Sequence, residues 1–386
     1  MHVLLGVSSG IAIYKAVDLV SKLRKESFQI DIIMTENASK LISPSVFSAV
    51  GNCNVYTNTF NVNNGWIIHT ELSQKTDIFV LAPATANTIA KIASGIADNL
   101  LTTVALAIPN ATPKILVPTM NSRMLENLIT QKNIEILKNN GWYVTEPEEG
   151  HLACGEIGKG RYPENQKIVE TIKFLTAPKI LKNKKVLVTA GPTREKIDPI
   201  RYISNYSSGK MGYSIAKVAK RLGAYVCLIS GPTCLEKPYL IDNFIEVTSS
   251  QEMYEIVLSK FLEYDIIIMT AAIADFKVKN TSNKKIKKEN FNLILELERT
   301  MDVLSELGKN KKENQILIGF AAETENFIEY GKEKLLKKNA DYIIANNAKE
   351  VMGKDFTKVY VISKTKIEEL EGSKEKVAEE IFKIII

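Results

Sequence analysis

Twice along this chain an apolar run of β character gives way to a Ser-Ser-Gly step and a helix-forming stretch. His2–Val7 leads to Ser8-Ser9-Gly10 in the first half, and Val186–Thr189 is followed by Ser207-Ser208-Gly209 in the second. Short apolar strands alternating with helices demand a parallel sheet, because parallel neighbours can be joined only by a crossover of about a dozen residues or more. The first half continues with strands expected at Gln29–Met34, Ile78–Ala82, Lys114–Val117 and Trp142–Val144. A helix-rich stretch is expected from Ala86 to Ala107, a helix from about Arg123 to Asn139, and a long loop after Glu146. In the second half, strands are expected at Tyr225–Ile229, Ile266–Met269, Asn292–Leu297, Ile316–Phe320 and Tyr342–Ala345, with an added edge strand at Thr357–Ser363 and a terminal helix from about Lys374. Between the halves, Ala177–Lys185 (APKILKNKK) is short, basic and aperiodic. The 386 residues exceed the roughly 150 of an ordinary domain. The expected fold class is α/β: two Rossmann-like domains, mainly parallel sheets flanked by helices, at residues 1–176 and 186–386 with a linker at 177–185.

Composition removes several classes. Hydrophobic residues make up 45% and charged residues 24%, the balance of a globular chain and not of a disordered or fibrous one. No apolar run approaches the ~18–20 residues that cross a bilayer, so no membrane partner is expected. MHVLLGVSSG lacks a basic leader and a small-residue cleavage site, and it reads as a first strand. Cys53, Cys154, Cys227 and Cys234 are too scattered for a disulfide framework or a four-thiolate zinc site, which points to a reducing cytoplasm. Residues 1–177 balance 15 basic against 15 acidic side chains, and the remainder carries 35 against 29, the whole of the +6 excess. Such a local excess suits a phosphate-bearing ligand. Without a basic arm interleaved with aromatics, nucleic acid is not an expected partner.

In the first half the candidate chemistry gathers at strand ends. Ser8-Ser9-Gly10 marks a strand-to-helix junction, whose N–H groups and positive dipole end cradle phosphate, although a capping Ser and a packing Gly read the same way. Pro83-Ala84-Thr85-Ala86-Asn87 follows another strand and offers backbone, hydroxyl and amide contacts, or a plain capped turn. His69, one of three histidines, stands between Trp66 and Glu71; a histidine by itself is more often structural than catalytic. Pro118-Thr119-Met120-Asn121 follows a further strand. Cys154 sits in the glycine-rich LACGEIGKGR, placed for thiol chemistry or lid closure, or as an incidental thiol.

PATANTIAKIASGIADNLLTT, the PxMN element and the LACGxxGxGR loop resemble the flavin-containing cysteine decarboxylases, phosphopantothenoylcysteine decarboxylase in particular, over residues 1–175. The resemblance implies FMN held near Ser8, Ser9, Thr35, Pro83, Thr85 and Asn87. It implies His69 as the acid–base residue, Asn121 on the substrate carboxylate, and Cys154 donating a proton from a closing loop. FMN sites in that family lie between subunits of a trimer, so a homo-oligomer with a trimeric flavin domain is implied. Two positions depart from the pattern: Thr119 stands where Ala is usual, and Tyr162 follows Arg161 where Met is usual.

VLVTAGPTREKIDPIRYISNYSSGKMG, from Val186 to Gly212, again joins strand, glycine-rich loop and helix start, with Arg194, Arg201 and Lys210 close by. Gly191 and Gly209 are separated by 17 residues and Gly212 follows, which is not the G-x-G-x-x-G of a dinucleotide site. Ala271-Ala272-Ile273-Ala274-Asp275 ends an apolar strand, and Lys285-Ile286-Lys287-Lys288 is a basic cluster. Gly319-Phe320-Ala321-Ala322-Glu323-Thr324 precedes Lys334 and Lys338, which share a helix face. By themselves the lysines equally suit a solvated surface.

The set resembles phosphopantothenate–cysteine ligase from residue 186 to about 350, and its order after the decarboxylase resembles the bacterial fusion of coenzyme A synthesis. The resemblance implies CTP-dependent joining of 4′-phosphopantothenate to cysteine through an acyl-cytidylate, then decarboxylation to 4′-phosphopantetheine. Mg2+ would accompany the nucleotide, its protein ligands unassigned, and the ligase domain would pair as a dimer. Asn205 and Lys285 take catalytic roles. The nucleotide falls to Ala271, Asp275, Lys285, Asp302, Val303, Phe320, Lys334 and Lys338, and phosphate to Ser207, Ser208, Gly209 and Lys210. Thr300-Met301 replaces the usual Asn-Pro before Asp302, and the tail after Glu350 carries no matched site. Two other readings stay open: a flavin decarboxylase of another cysteine-containing substrate, and a non-catalytic regulatory relative, which the presence of both His69 and Cys154 argues against.

Overall fold

A strand covered on both faces must be apolar at successive positions, not alternate ones. β1 (His2–Val7) meets that demand: Val3, Leu5 and Val7 enter one core and Leu4 the other. With β2 (Gln29–Met34), β3 (Asn54–Tyr56), β4 (Ile78–Ala84), β5 (Lys114–Pro118) and β6 (Trp142–Val144) it forms a sheet ordered β3-β2-β1-β4-β5-β6. Every pairing is parallel. The helices Ile13–Lys25, Pro44–Gly51 and Asn165–Thr176 cover one face, and Ala86–Ala93, Leu100–Ala107 and Leu128–Asn139 the other.

This computed structural model describes residues 1–58, 67–152, 155–287, 293–323, 325–347 and 353–386. The sheet just described belongs to one unit, Met1–Thr176; Ala177–Ile386 is a second. The second unit contains β9 (Lys185–Ala190), β10 (Arg194–Lys196), β11 (Tyr202–Ser204), β12 (Tyr225–Ser230), β13 (Asn243–Glu246) and β14 (Ile266–Met269). They are followed by β15 (Phe276–Val278), β16 (Leu297–Arg299), β17 (Ile316–Glu323), β18 (Tyr342–Asn347), β19 (Phe356–Ile362) and β20 (Ile367–Ser373). Its main sheet runs β13-β12-β9-β14-β17-β18-β19-β20, parallel up to β18 and antiparallel beyond. Both units are α/β with Rossmann-like order. Among the described residues, no helix is long and apolar enough to cross a membrane.

Several elements differ from expectation. The stretch 123–139 is two helices, Ser122–Glu126 and Leu128–Asn139, because the Asn127 side chain caps the second by accepting from the Ile129 N–H. The long loop after Glu146 contains a hairpin, β7 (Glu148–His151) and β8 (Ile157–Arg161), whose glycines and charges leave no apolar alternation to read. The strand expected at Asn292–Leu297 is instead β16, paired with β15 outside the main sheet; Asn292 lies outside the described residues. The strand expected at the edge, Thr357–Ser363, is covered by β20, whose Glu-rich sequence suits an exposed edge and hides its strand signal.

Both sheets reverse their winding direction beside the first strand of the unit, between β1 and β4 and between β9 and β14. The crevice outside the carboxyl ends of such a pair is where open α/β sheets hold ligands. In the second unit the approach of helix Lys210–Arg221 to that crevice requires glycine. A Cβ on Gly212 would stand 2.4 Å from Thr270 Oγ1 and 2.6 Å from Ala190 Cβ. Gly212→Ala is therefore expected to destabilise the second unit by about 1–3 kcal/mol through overpacking. Thermal denaturation checks it, and an unmoved midpoint contradicts the close fit.

Two candidate active sites at the sheet switch points

Ser8 is buried, and its hydroxyl spans the first switch point: it donates to the Pro83 carbonyl at 2.7 Å and accepts from the Thr85 N–H at 2.9 Å. That clamp sets the ends of β1 and β4 side by side. Ser9, Gly10, Thr85, Ala86 and Asn87 then line a cavity of about 500 Å3, together with Thr119, Met120, Asn121 and Arg161. The hairpin β7–β8 supplies the far wall. Met120 N–H donates to the Gly160 carbonyl at 3.1 Å. Gly160 has φ +141° and leaves no room for a Cβ, which would stand 2.2 Å from the Met120 oxygen.

Asn121 caps helix Ser122–Glu126 through its side-chain oxygen, and its amide nitrogen donates to Glu156 Oε2 at 3.3 Å. Arg123 pairs with the same carboxylate at 2.9 Å. Pro83 is buried behind the cavity, and Thr35 caps helix Glu36–Leu41; neither lines the cavity. His69 is half-buried in the first turn of helix Ile68–Lys75 and does not line the cavity either. Trp66 and Cys154 lie outside the described residues.

Lys15 also lines this cavity, one of the residues that motif reading passes over. Its ammonium donates to the Tyr162 carbonyl at 3.1 Å and sits 5.6 Å from the centre of that ring. Burial, then the neighbouring Arg161 charge, hold the Lys15 amine below the ordinary lysine value, with Glu148 and Glu164 opposing. Tyr162 is 1% exposed and fills the core beneath. The only signal for Lys15 in the sequence is its place in the first turn of the helix after Ser8-Ser9-Gly10.

At the second switch point the strand ends are joined through the backbone: Ala272 N–H donates to the Gly191 carbonyl at 2.9 Å and Thr193 N–H to the Ala272 carbonyl at 3.2 Å. Asn205 donates to that same Ala272 oxygen at 2.7 Å. Ser207, Ser208, Gly209 and Lys210 line a small cavity of about 110 Å3 with Ala272 and Phe320. On the other side of β17, Lys334 Nζ donates to the Phe320 carbonyl at 2.9 Å, and Lys338 pairs with Asp302. Burial lowers the Lys334 pKa, and Glu323, Lys338, Asp302 and Asp275 all lie within electrostatic reach. Burial opposes ionisation of Asp302, but Lys338 and the Ser305 N–H outweigh it and hold the carboxyl below its ordinary value.

Most of the residues expected at the nucleotide are thus neighbours. Thr300, in place of the usual Asn, hydrogen-bonds the Ala274 and Asp275 carbonyls at 2.5 and 3.0 Å. Val303 is buried as the first residue of helix Val303–Asn310, and Ala271 packs against a core cluster. Lys285 is exposed and lines neither cavity. Among the described residues, no cluster of three His, Cys, Asp or Glu could hold a metal.

The chain matches the family model named Flavoprotein over residues 1–176 and that of the DNA/pantothenate metabolism flavoprotein C-terminal domain over 181–386. It is 47% identical to the coenzyme A biosynthesis bifunctional protein CoaBC of Bacillus subtilis over 90% of this chain and 86% of that one. Its likeness to the Borreliella burgdorferi protein of the same name is 42%, across 100% of this chain and 98% of that one. The chain belongs to the CoaBC family. The solved C-terminal domain of a CoaBC protein is 44% identical and covers 54% of this chain and 96% of its own, with a TM-score of 0.47. For this family, the first unit is the flavoprotein domain. Its cavity suits a flavin's two demands, with hydroxyl, amide and cationic groups at the strand ends and apolar surface from Ile11, Ala12, Met120 and Met124.

Lys285 stands on a loop that is anchored beside it. Asp198, 2% exposed, accepts from the Ile200, Arg201 and Ile286 N–H groups at 2.8, 2.9 and 3.2 Å and from the Arg201 guanidinium. Arg201 in turn donates to the Ile286 carbonyl at 2.7 Å. Burial opposes the charge on Asp198, but these donors hold its carboxyl below the usual range. With the folded pKa below the unfolded value of about 3.9, the anchoring is complete above about pH 4 and is lost as pH falls through the folded value. In Asp198→Asn, amide hydrogen exchange at Ile286 is expected to lose protection already at pH 7. Protection equal to that of the unaltered chain contradicts the anchor.

Proposed function

We propose that this chain performs both reactions that the family's bifunctional name denotes. The second unit joins 4′-phosphopantothenate to cysteine at the expense of CTP, and the first decarboxylates the product to 4′-phosphopantetheine. The observation that carries this is the coincidence of likeness to bifunctional relatives along the whole chain with two separate crevices, the first lined by Ser9, Thr85, Asn87 and Asn121 and the second by Ser207, Ser208, Gly209, Lys210 and Phe320.

In the second unit, a carboxylate and a triphosphate repel each other until cations screen both. Lys334 and Lys338 stand beside Phe320 and Asp302 for the nucleotide, and Mg2+ would arrive on its phosphates. Asn205, which donates to the Ala272 carbonyl in the free chain, would hold the acyl-cytidylate while the cysteine amine displaces CMP. Lys285 would steady the activation step from its anchored loop.

In the first unit, FMN fits the cavity with its phosphate near Ser9, Thr85 and Asn87. Bound flavin supplies a reversible acceptor for the two electrons of the substrate thiol, which gives the departing carboxylate an adjacent electron sink. Asn121 would orient that carboxylate, and Cys154 would return a proton. His69 lies outside its own chain's cavity, so we place it in the cavity of a neighbouring copy, in keeping with trimeric flavin domains and dimeric ligase domains. Cytoplasm is the proposed compartment.

His69→Asn is expected to cut carbon dioxide release by 10²-fold or more, the order of general acid–base effects, while CTP-dependent pyrophosphate release stays at the parent rate. Lys285→Gln should do the reverse, with carbon dioxide measured in both variants from supplied phosphopantothenoylcysteine. Parallel loss of both activities in either variant would sink the assignment of two sites.

A further inference from the structure

The tail beyond residue 352 carries none of the short motifs quoted for the ligase, although the family model extends through it, and it folds back onto the Ser207–Lys210 cradle. Thr357 and Lys374 line the 110 Å3 cavity there, as does Asn346 at the end of β18. Lys374 opens the terminal helix Lys374–Ile385, which packs against helix Lys210–Arg221. It is 8% exposed, its ammonium reaches the Lys354 carbonyl, and its backbone N–H donates to the Asp355 carbonyl at 3.0 Å. Thr357 is 1% exposed. The Asn346 side-chain oxygen is buried with no hydrogen-bond partner among the described residues. A half-turn of that amide exchanges its oxygen and nitrogen, so the same position can offer an N–H.

Lys210 and Lys374 both line this one small cavity, and their like charges repel. Burial, then the charge on Lys210, lower the Lys374 pKa, and Asp355 opposes them. Asp355 is 90% exposed and pairs with Lys210 at 2.6 Å across the rim. A buried lysine set beside another cation is costly unless an anion joins them. The volume is too small for a nucleotide, whose pockets span about 300–1,000 Å3, and it suits a single phosphoryl group.

We propose that Lys374, with Asn346 and Thr357, completes a phosphoryl-binding pocket with the Ser207–Lys210 cradle, so that the tail supplies part of the ligase site. The inference rests on the ligase reading above and adds to it residues from outside the matched motifs. The phosphoryl group comes from the phosphate monoester of the acid substrate or from the nucleotide's polyphosphate, and kinetics separate the two.

In the full-length, flavin-loaded chain, Lys374→Met should raise one Michaelis constant of the ligase reaction by 10-fold or more. A rise for 4′-phosphopantothenate alone marks the monoester, and a rise for CTP alone marks the polyphosphate. Lys374→Arg should recover most of the loss, and decarboxylation of supplied phosphopantothenoylcysteine should hold at the parent rate. Asp355→Asn, an exposed change, frees Lys210 and should lower the same Michaelis constant; it decides the matter if the first variant does not fold. Both constants within twofold of the parent in these variants would overturn the pocket. Should the unaltered chain show no ligase turnover, the ligase reading fails. Calorimetric titration with inorganic phosphate then tests the pocket alone: heat lost in Lys374→Met supports it, and no heat in the unaltered chain overturns it.

Discussion

The central strands of both units are buried on both faces, and that burial leaves polar chemistry only one place to go. In β4 and β5 all residues are buried, so a hydroxyl or carboxylate along them would lose its water without a partner. Function is therefore confined to the carboxyl strand ends, and those ends must be held together without filling the crevice they bound. The first unit does this with a side chain, the Ser8 hydroxyl between Pro83 and Thr85. In the second it is backbone, with Ala272 exchanging hydrogen bonds with Gly191 and Thr193. Glycine at 160 and 212 lets the covering elements come close enough to close the walls.

Each crevice also carries amines whose positive charge is disfavoured by their surroundings. Lys15, Lys334 and Lys374 all sit below the ordinary lysine value, in every case with burial as the largest cause. Such groups are poorly solvated in the free protein, and an entering phosphate gives back what burial removed. Two further cations nearby are held by carboxylates, Lys338 by Asp302 and Lys210 by Asp355. Both sites are in this sense prepared for anions before any arrive.

Much of this was legible from residue order. Strand runs such as VLLGV and VLVTA were readable because burial on both faces leaves them continuously apolar, and the Ser-Ser-Gly junctions marked the strand ends that border the two cavities. The hairpin Glu148–Arg161 was not readable: its contacts depend on glycine fitting under Met120, which leaves no periodic trace. Lys15 and Lys374 escaped for a related reason. Each is one lysine among many, and only the packing of helices onto the sheet brings it to a cavity. His69 was singled out from the start, but its own chain's cavity does not include it. Its helix Ile68–Lys75 packs away from that cavity's walls, and nothing in the residues around position 69 carries that information.

The central claim is that one polypeptide houses two independent chemical sites. Removing the flavin from the purified chain and then following both half-reactions side by side tests it most directly. The account predicts that carbon dioxide evolution stops and returns on adding FMN, while CTP-dependent pyrophosphate release with 4′-phosphopantothenate proceeds at an unchanged rate throughout. Loss of both on removing the flavin, with the fold intact by circular dichroism, would contradict it.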